Sequence, residues 1–369
     1  MKLVILESGA KARTIKKYLG KGWIVDACNG HVQDLPSGRK NKDSSKAMWS
    51  SKPGELPKPP WSWTERAERT MTKITSKAKK SGVDEVFIAT DPDREGEFIA
   101  WRLSEILSNF DSVKRVSFNE ITKEAVLSSI ANPQELDMDL VEAAIVRRLM
   151  DRLVGFRCSK FCRSWKLKSM GRVQTPTLGY IVEKEIEREA HIPKEYNSVG
   201  VYSNGVELKV RFHESDDSEA WIDNDGKHFP DRTSDTELAK LAFDQINSNR
   251  SVKLDSIKEG TVSRKPKAPF TTDTMLQTSS STLGWSIAKT SKIASTLYQS
   301  GHITYIRTDS TRTNSTARNQ IRKHIEDKYG KEFIGDGVGD KSKGKGSVQD
   351  AHEAIRPTDP LVEVVGDDK

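Results

Sequence analysis

The sequence has few cysteines and no long apolar segment. Three cysteines, Cys28, Cys158 and Cys162, occur in 369 residues. They are too few for a disulfide framework, and their scarcity predicts a reducing cytoplasm. No apolar run approaches the roughly eighteen residues of a membrane-spanning helix, which excludes a membrane partner or anchor of that kind. A loop of the form G-x-x-x-x-G-K-[ST] is also absent, so we expect no use of ATP.

Charge and periodicity place the chain among α/β proteins. The formal net charge is +7, which fits a polyanionic partner and an ordinary solvated surface equally well. The stretches "KLVIL" and "VDEVFIAT" predict buried strands, and "AKARTIKKYLG" predicts a helix that Gly20 ends. Residues 36–63, rich in Ser, Lys and Pro, predict a loop excursion.

Three carboxylates follow the second predicted strand at alternate positions, as Asp91, Asp93 and Glu95. If the segment stays extended, they share one face, and a divalent cation such as Mg²⁺ would offset their repulsion. Glu7 follows the first strand, and strand ends in an open α/β sheet gather functional groups. Lys11, in the first turn of the next helix, could meet a phosphate. An acidic turn whose charges stay in water is the alternative interpretation.

The stretch "GHITYIRTDS" carries a candidate nucleophile. On a predicted strand, Ile303, Tyr305 and Arg307 lie on one face. A phenol has a pKa of about 10 and is a poor nucleophile at neutral pH. A neighbouring guanidinium could stabilise the phenolate and bind the attacked phosphate. A packed tyrosine beside an exposed arginine is the alternative.

These motifs together resemble one family. The strings are "LESGAKART", "GHVQDLP", "ATDPDREGEFIAW", "FNEIT", "RRLMDRLVGF", "GRVQTPTLG", "GHITYIRTDST" and "AHEAIRP". In this order, from Lys2 to Pro357, they resemble type IA DNA topoisomerases. The resemblance implies an α/β plus α+β multidomain fold, with a Rossmann-like Toprim domain and an incomplete toroid.

The resemblance also implies a division into four domains. A Toprim domain is expected at 1–133, part of a helical DNA-binding domain at 134–193 and part of a β-rich arch at 194–262. A helical domain bearing the nucleophile is expected at 263–369. Because family members continue beyond "AHEAIRP", the resemblance implies C-terminal truncation, with the rest supplied by a missing C-terminal portion or a companion polypeptide.

The implied activity is Mg²⁺-dependent, ATP-independent cleavage and rejoining of single-stranded DNA through a 5′-phosphotyrosine, which relaxes negatively supercoiled DNA. Tyr305 would be the nucleophile, with Arg307 and His352 at the scissile phosphate. Glu7 and Lys11 would assist proton transfer at the 3′-oxygen. The metal ligands would be Glu7, Asp91, Asp93 and Glu95.

The expected partner is single-stranded or underwound duplex DNA, which would place the protein at the cytoplasmic nucleoid. The resemblance implies that DNA contacts come from a mainly basic set of residues: His31, Arg115, Arg147, Arg148, Asp151, Arg152, Arg157, Ser169, Gly171, Arg172, Gln174 and Arg307. Asp151 fits equally well as an ion-pair partner of its neighbouring arginines, and Phe156 stands where many relatives have tyrosine. Two other functions stay open: a Toprim nuclease or primase, and a single-strand binder without catalysis.

Overall fold

The computed structural model describes residues 1–36, 60–214, 217–257, 259–262, 266–335, 353–362 and 364–365. The chain forms two compact units. The first unit is Met1–Ser169 with Lys265–Lys369, and the second is Met170–Arg264. Most of the predicted loop excursion, residues 37–59, lies outside the described residues, as does His352. The predicted division into four domains stays a prediction.

A four-stranded parallel sheet forms the centre of the first unit. Its strands are β1 (Lys2–Leu6), β2 (Trp23–Ala27), β5 (Glu85–Ala89) and β6 (Ser112–Arg115), in the order β2-β1-β5-β6. Strands β1 and β5 are buried on both faces, as expected for short, continuously apolar strands in a parallel sheet. Both predicted buried strands are confirmed. A separate two-stranded ribbon joins β3 (Gln33–Asp34) to β4 (Ser62–Trp63).

Helices cover both faces of this sheet. One face packs against α2 (Ala67–Lys80) and α3 (Arg94–Ile106) through a core that includes Leu3, Ile5 and Val86. The other face packs against α1 (Gly9–Leu19), α4 (Lys123–Ala131) and α9 (Ile287–Gln299). Helix α1 begins where Ser8 accepts a hydrogen bond from the Lys11 N–H and ends at Gly20, so this helix prediction is also confirmed.

The remaining helices of the first unit are α5 (Met138–Ser164), α8 (Thr272–Leu283) and α10 (Ser315–Tyr329). The predicted strand in "GHITYIRTDS" is wrong, because this segment is irregular. Its pairing is an isolated bridge between Ile303 and Pro357, with further backbone bonds from Thr304 to Arg356 and from Tyr305 to Asn119. Bonds from two different loops hold the segment where a regular ladder was expected.

The second unit contains α6 (Gln174–Ala190), two short hairpins and α7 (Thr236–Asn249). Strands β7 (Gly200–Ser203) and β8 (Val206–Lys209) pair across Asn204 and Gly205, both at positive φ, as is typical of an Asn-Gly hairpin turn. Strands β9 (Trp221–Ile222) and β10 (His228–Phe229) form the other hairpin. Among the described residues, no helix is long and apolar enough to cross a membrane.

Candidate active site

The two central strands bring acidic groups to one edge of the sheet. Leu6 of β1 pairs with Ala89 of β5, so the residues after both strands begin at the same level. Burial raises the pKa of Glu7, and the charges of Asp91 and Asp93 raise it further. Three carboxylates therefore crowd this edge.

The carboxylates do not lie along an extended segment, contrary to the alternation in the sequence. Strand β5 ends at Ala89, and α3 begins at Arg94 with Asp93 as its N-cap. The Gly96 N–H donates to Asp93 Oδ1 at 2.8 Å. This turn is tight, since a Cβ on Gly96 would stand 2.1 Å from the Asp91 carbonyl oxygen. Glu95 consequently lies on the helix and points to other partners.

Lys11 is the cation nearest to these carboxylates among the contacts described. Its side chain is buried, with the residue 3% exposed. The ammonium group donates to Asp91 and lies 4.8 Å from the centroid of the Tyr298 ring. A buried ammonium needs such partners, because an unpaired charge in the interior is strongly unfavourable. Lys11 is thus fixed beside the acidic cluster.

Tyr305 and Arg307 meet on one carboxylate oxygen. The Tyr305 hydroxyl donates to Asp93 Oδ2 at 2.5 Å, and Arg307 Nη1 donates to the same oxygen at 3.2 Å. Tyr305 is 4% exposed, and its N–H donates to the Asn119 carbonyl at 2.8 Å. Burial raises the pKa of Tyr305, as do the charges of Asp93 and Asp91, whereas Arg307 lowers it. The hydroxyl is therefore protonated in this state.

Glu95 belongs to a second cluster, with Arg148 at its centre. Arg148 Nη2 donates to Glu95 at 2.7 Å and lies 2.7 Å from His31 Nε2. Its Nη1 donates to Asp34 at 2.7 Å. The hydrogen bond to His31 and the charge of Arg148 lower the pKa of Glu95 to about 2. Arg148 and His31, predicted to contact DNA, here hold Glu95.

A cleft of about 600 Å³ adjoins this second cluster. Helix α5 forms one wall, where Arg147 pairs with Asp151 at 4.0 Å and Arg152 donates to the Pro36 carbonyl at 2.9 Å. Phe156 is 57% exposed. The side chains that line the cleft are mainly basic and acidic: Asp34, Leu35, Glu95, Arg147, Arg148, Asp151, Arg152, Gly155, Phe156, Ser159 and Arg163. Guanidinium groups beside an exposed ring suit a single-stranded nucleic acid.

Arg115, also predicted to contact DNA, is a buried residue in this structure, so that contact has no support from its observed partners and stays a prediction. It is 4% exposed and pairs with Glu97, which is 6% exposed. Its guanidinium also donates to the carbonyls of Thr90 at 2.9 Å and Asp91 at 3.0 Å. The guanidinium is inside because β6 ends there, under the loop that carries Asp91. Arg115 therefore braces that loop.

Several residues of the site have no signal in the sequence. Glu97 and Tyr298 occupy ordinary helical positions, so only the packing shows their contacts. Arg356 donates to Glu120 at 3.0 Å and thereby joins "AHEAIRP" to "FNEIT". The two sequence motifs alone could not have indicated this pair, because a motif carries no information on distances in space.

Other predicted residues lie elsewhere. Arg157 is exposed on α5, and Ser169 is the last residue of the first of the two segments that form the first unit. Gly171, Arg172 and Gln174 lie in the second unit, where Gln174 begins α6. His352 lies outside the described residues.

The acidic edge fits a divalent cation that shares its ligands with a substrate. Within the described ranges, no three His, Cys, Asp or Glu side chains stand in a geometry that could hold a metal ion. Burial raises the pKa of Glu7, and the charges of Asp91 and Asp93 raise it further, so negative charge is concentrated here. Mg²⁺ is commonly bound by one or two carboxylates plus phosphate and water. One or two carboxylates out of Glu7, Asp91 and Asp93 fit that mode, whereas Glu95 is engaged by Arg148 and His31.

Comparison with known proteins gives a consistent result. Residues 135–367 match the family described as DNA topoisomerase, and residues 2–121 match the Toprim domain, a family that uses divalent metal ions. The chain is 38% identical to DNA topoisomerase 1 of Haemophilus influenzae, over 97% of this chain and 43% of that protein. It is 36% identical to DNA topoisomerase 1 of Escherichia coli, over 97% and 42%. The chain thus spans less than half the length of these relatives.

A solved structure extends the likeness to the fold. Full-length topoisomerase I from Thermotoga maritima superposes with a TM-score of 0.73 at 31% identity, over 98% of this chain and 56% of that one. The fold class expected from the motifs is confirmed. The matched segments include both strand ends of the acidic edge and the segment that carries Tyr305. The chain therefore belongs to the type IA DNA topoisomerase family.

Proposed function

We propose that this chain contains the centre that cuts and rejoins one DNA strand, with Tyr305 as the nucleophile. The observation that supports it most is the meeting of the Tyr305 hydroxyl and the Arg307 guanidinium on Asp93 Oδ2. Since the chain spans less than half of its relatives, relaxation of negatively supercoiled DNA is proposed for the whole protein. Such a substrate would place it at the nucleoid in the cytoplasm.

The reaction is a transesterification. The Tyr305 oxygen forms a bond to phosphorus as the bond from phosphorus to the 3′-oxygen breaks. The 5′-phosphate stays on Tyr305, and the 3′-oxygen takes up a proton. Rejoining is the reverse, and the number of phosphoester bonds is unchanged, so no ATP is required.

The charges around Tyr305 determine when it reacts. In the resting state Asp93 accepts a hydrogen bond from the protonated Tyr305 hydroxyl, and burial together with two nearby carboxylates disfavours the phenolate. A DNA phosphate bound by Arg307 would place the electrophile beside the hydroxyl, and Asp93 is placed to take its proton. Glu7 has a raised pKa, so it can carry a proton for the leaving 3′-oxygen, with Lys11 nearby to stabilise charge.

A divalent cation fits beside Glu7, Asp91 and Asp93, and we assign it as Mg²⁺. When bound, it would neutralise carboxylate charge and help to hold the two DNA ends for rejoining. Glu95 as a ligand stays a prediction.

The DNA strand would lie in the cleft along α5. Arg147, Arg152 and Arg163 would contact phosphates there, and Phe156 would stack on a base. Asp151 can act both as an ion-pair partner and as a DNA contact, since it pairs with Arg147 at the wall of the cleft. DNA contacts by His31, Arg148, Arg157, Ser169, Gly171, Arg172 and Gln174 stay predictions.

One experiment with single-stranded DNA tests the chemistry. An oligonucleotide carries different labels at its 5′ and 3′ ends, and the reaction with Mg²⁺ is stopped with detergent. We expect the 3′ label to migrate with denatured protein and the 5′ label to appear in a free, shorter fragment. Tyr305→Phe should abolish the adduct. The matched control Tyr202→Phe changes an exposed tyrosine of the second unit and should leave it intact.

Each other outcome points to a different function. Two free fragments without attached protein would indicate a nuclease. Retention of uncut DNA would indicate a binder. An adduct that survives Tyr305→Phe would assign the nucleophile elsewhere. Relaxation of negatively supercoiled plasmid, assayed separately, tests the activity of the whole protein.

A further inference from the structure

A second buried tyrosine lies beside the nucleophile. Tyr298, in the last turn of α9, is as buried as Tyr305. The two rings meet in an edge-to-face arrangement, with centroids 5.2 Å apart and planes at 66°. Such pairs favour one relative orientation beyond the effect of burial alone. The orientation of the Tyr305 ring is therefore set partly by Tyr298.

The same ring also contacts Lys11. The Lys11 ammonium lies 4.8 Å from the centroid of the Tyr298 ring while it donates to Asp91. The negative π-face of an aromatic ring attracts a cation at such a distance, most strongly where water is excluded. Lys11 is buried, so this contact lies in a dry part of the site. One ring thus contacts both the nucleophile and the cation on the acidic edge.

The hydroxyl of Tyr298 does not explain its position. Within the part of the chain that the structure describes, this buried oxygen has no hydrogen-bond partner. The ring contacts are therefore the specific interactions that Tyr298 makes. The alternative explanation for the position of Tyr298 is ordinary core packing, since Tyr298 also belongs to the apolar cluster on this face of the sheet.

We propose that Tyr298 is a positioning residue whose π-face holds the Lys11 ammonium at Asp91 and whose ring orients Tyr305. This inference rests on the proposed function, because it assigns a role within that reaction. Core packing depends on the size and shape of a ring. Positioning through the π-face depends also on the ring's electron density, and this difference separates the two interpretations.

The test replaces Tyr298 by phenylalanine and then by 3,5-difluoro- and 3,4,5-trifluorophenylalanine in the full chain. Fluorine withdraws electron density from the ring with little change of shape. We expect the rate of adduct formation to fall stepwise through the series, by about tenfold overall, as the attraction for Lys11 weakens. The affinity for single-stranded DNA and the thermal midpoint should stay constant across the three proteins.

A matched series at Phe110 provides the control. Phe110 is partly buried and packs against the core on the opposite face of the sheet, so its fluorination should not change the rate. Equal rates for all three rings at position 298, with an adduct still formed, would overturn this inference alone. A fall in thermal midpoint that parallels the rate would also overturn it, in favour of core packing. If the unaltered chain forms no adduct, the proposed function fails and this inference fails with it.

Discussion

Replacing Arg115 by methionine should destabilise the first unit and loosen the loop that carries Asp91. Arg115 and Glu97 form a buried pair, with Nε and Nη2 of the arginine 2.9 and 2.8 Å from Glu97 Oε2. The other carboxylate oxygen, Glu97 Oε1, accepts from the Asp137 N–H at 3.0 Å. Methionine fills similar space but leaves the Glu97 charge without its cation.

The magnitude follows from that unpaired charge. Removing one partner of a buried ion pair costs about 3–5 kcal/mol. In a domain of 150–250 residues, each kcal/mol lowers the midpoint of thermal unfolding by about 2–4 °C. We therefore expect the midpoint of the first unit to fall by roughly 6–20 °C. Since the guanidinium also donates to the carbonyls of Thr90 and Asp91, the loop should move locally as well.

Thermal unfolding measures the global effect, and amide hydrogen exchange measures the local one. The amides of peptides that cover β5 and the start of α3 should exchange faster in the variant than in the unaltered chain. Peptides from the second unit provide an internal control and should be unchanged.

A double variant tests the physical cause. Adding Glu97→Gln to Arg115→Met removes the unpaired charge and keeps an acceptor for the Asp137 N–H. The double variant should recover more than half of the lost stability, because the two effects are coupled. A single variant that costs under about 1 kcal/mol, or a double variant less stable than the single one, would refute the assignment of a charge-paired brace.

Three further changes have expected outcomes. Gly96→Ala should lower the free energy of unfolding by about 1–3 kcal/mol through overpacking, since the added Cβ would meet the Asp91 carbonyl. An unchanged midpoint of urea unfolding would contradict the tight turn. The pKa of Glu95 is lowered from 4.5 to about 2, mainly by its hydrogen bond with His31. The ionised Glu95 therefore stabilises the folded state above pH 4.5, and this contribution is lost as the pH falls toward 2. Thermal midpoints between pH 5 and 3 should therefore fall more steeply for the unaltered chain than for Glu95→Gln, and parallel slopes would contradict this. Burial raises the pKa of Cys28 to about 12, so at pH 8 iodoacetamide should modify Cys158 much faster, as mass spectrometry of the peptides would measure; equal rates would contradict the burial.

Regular, strongly patterned elements were predictable from the sequence. Strand β1 and helix α1 match the apolar run "KLVIL" and the helical stretch "AKARTIKKYLG". In both, local periodicity and tertiary packing favour the same structure. The segment around Tyr305 differs, because its partners are the backbones of Asn119 and Arg356. Alternation alone favoured a strand there and could not show those partners.

The sequence indicated which residues come together at the acidic edge, but it did not indicate the directions in which Glu95 and Arg115 point. Glu7, Lys11, Asp91, Asp93 and Tyr305 are brought together, as the motifs indicated. Spacing in the sequence could not show that the chain turns into α3 before Glu95, or that the Arg115 side chain points inward. Both depend on which backbone atoms remain to be hydrogen-bonded once the sheet and helix have formed.

Asp93 accepts hydrogen bonds from three groups in two parts of the chain: one oxygen accepts from the Gly96 N–H, and the other accepts from Tyr305 and Arg307. Every one of these groups is a donor, so position 93 needs a short side chain with two acceptor oxygens. Asparagine would turn an amide donor toward one set of donors, and glutamate would be one methylene too long to cap the helix from the same backbone. The start of helix α3 and the position of the nucleophile thus depend on the same side chain. A substitution at position 93 would disturb both.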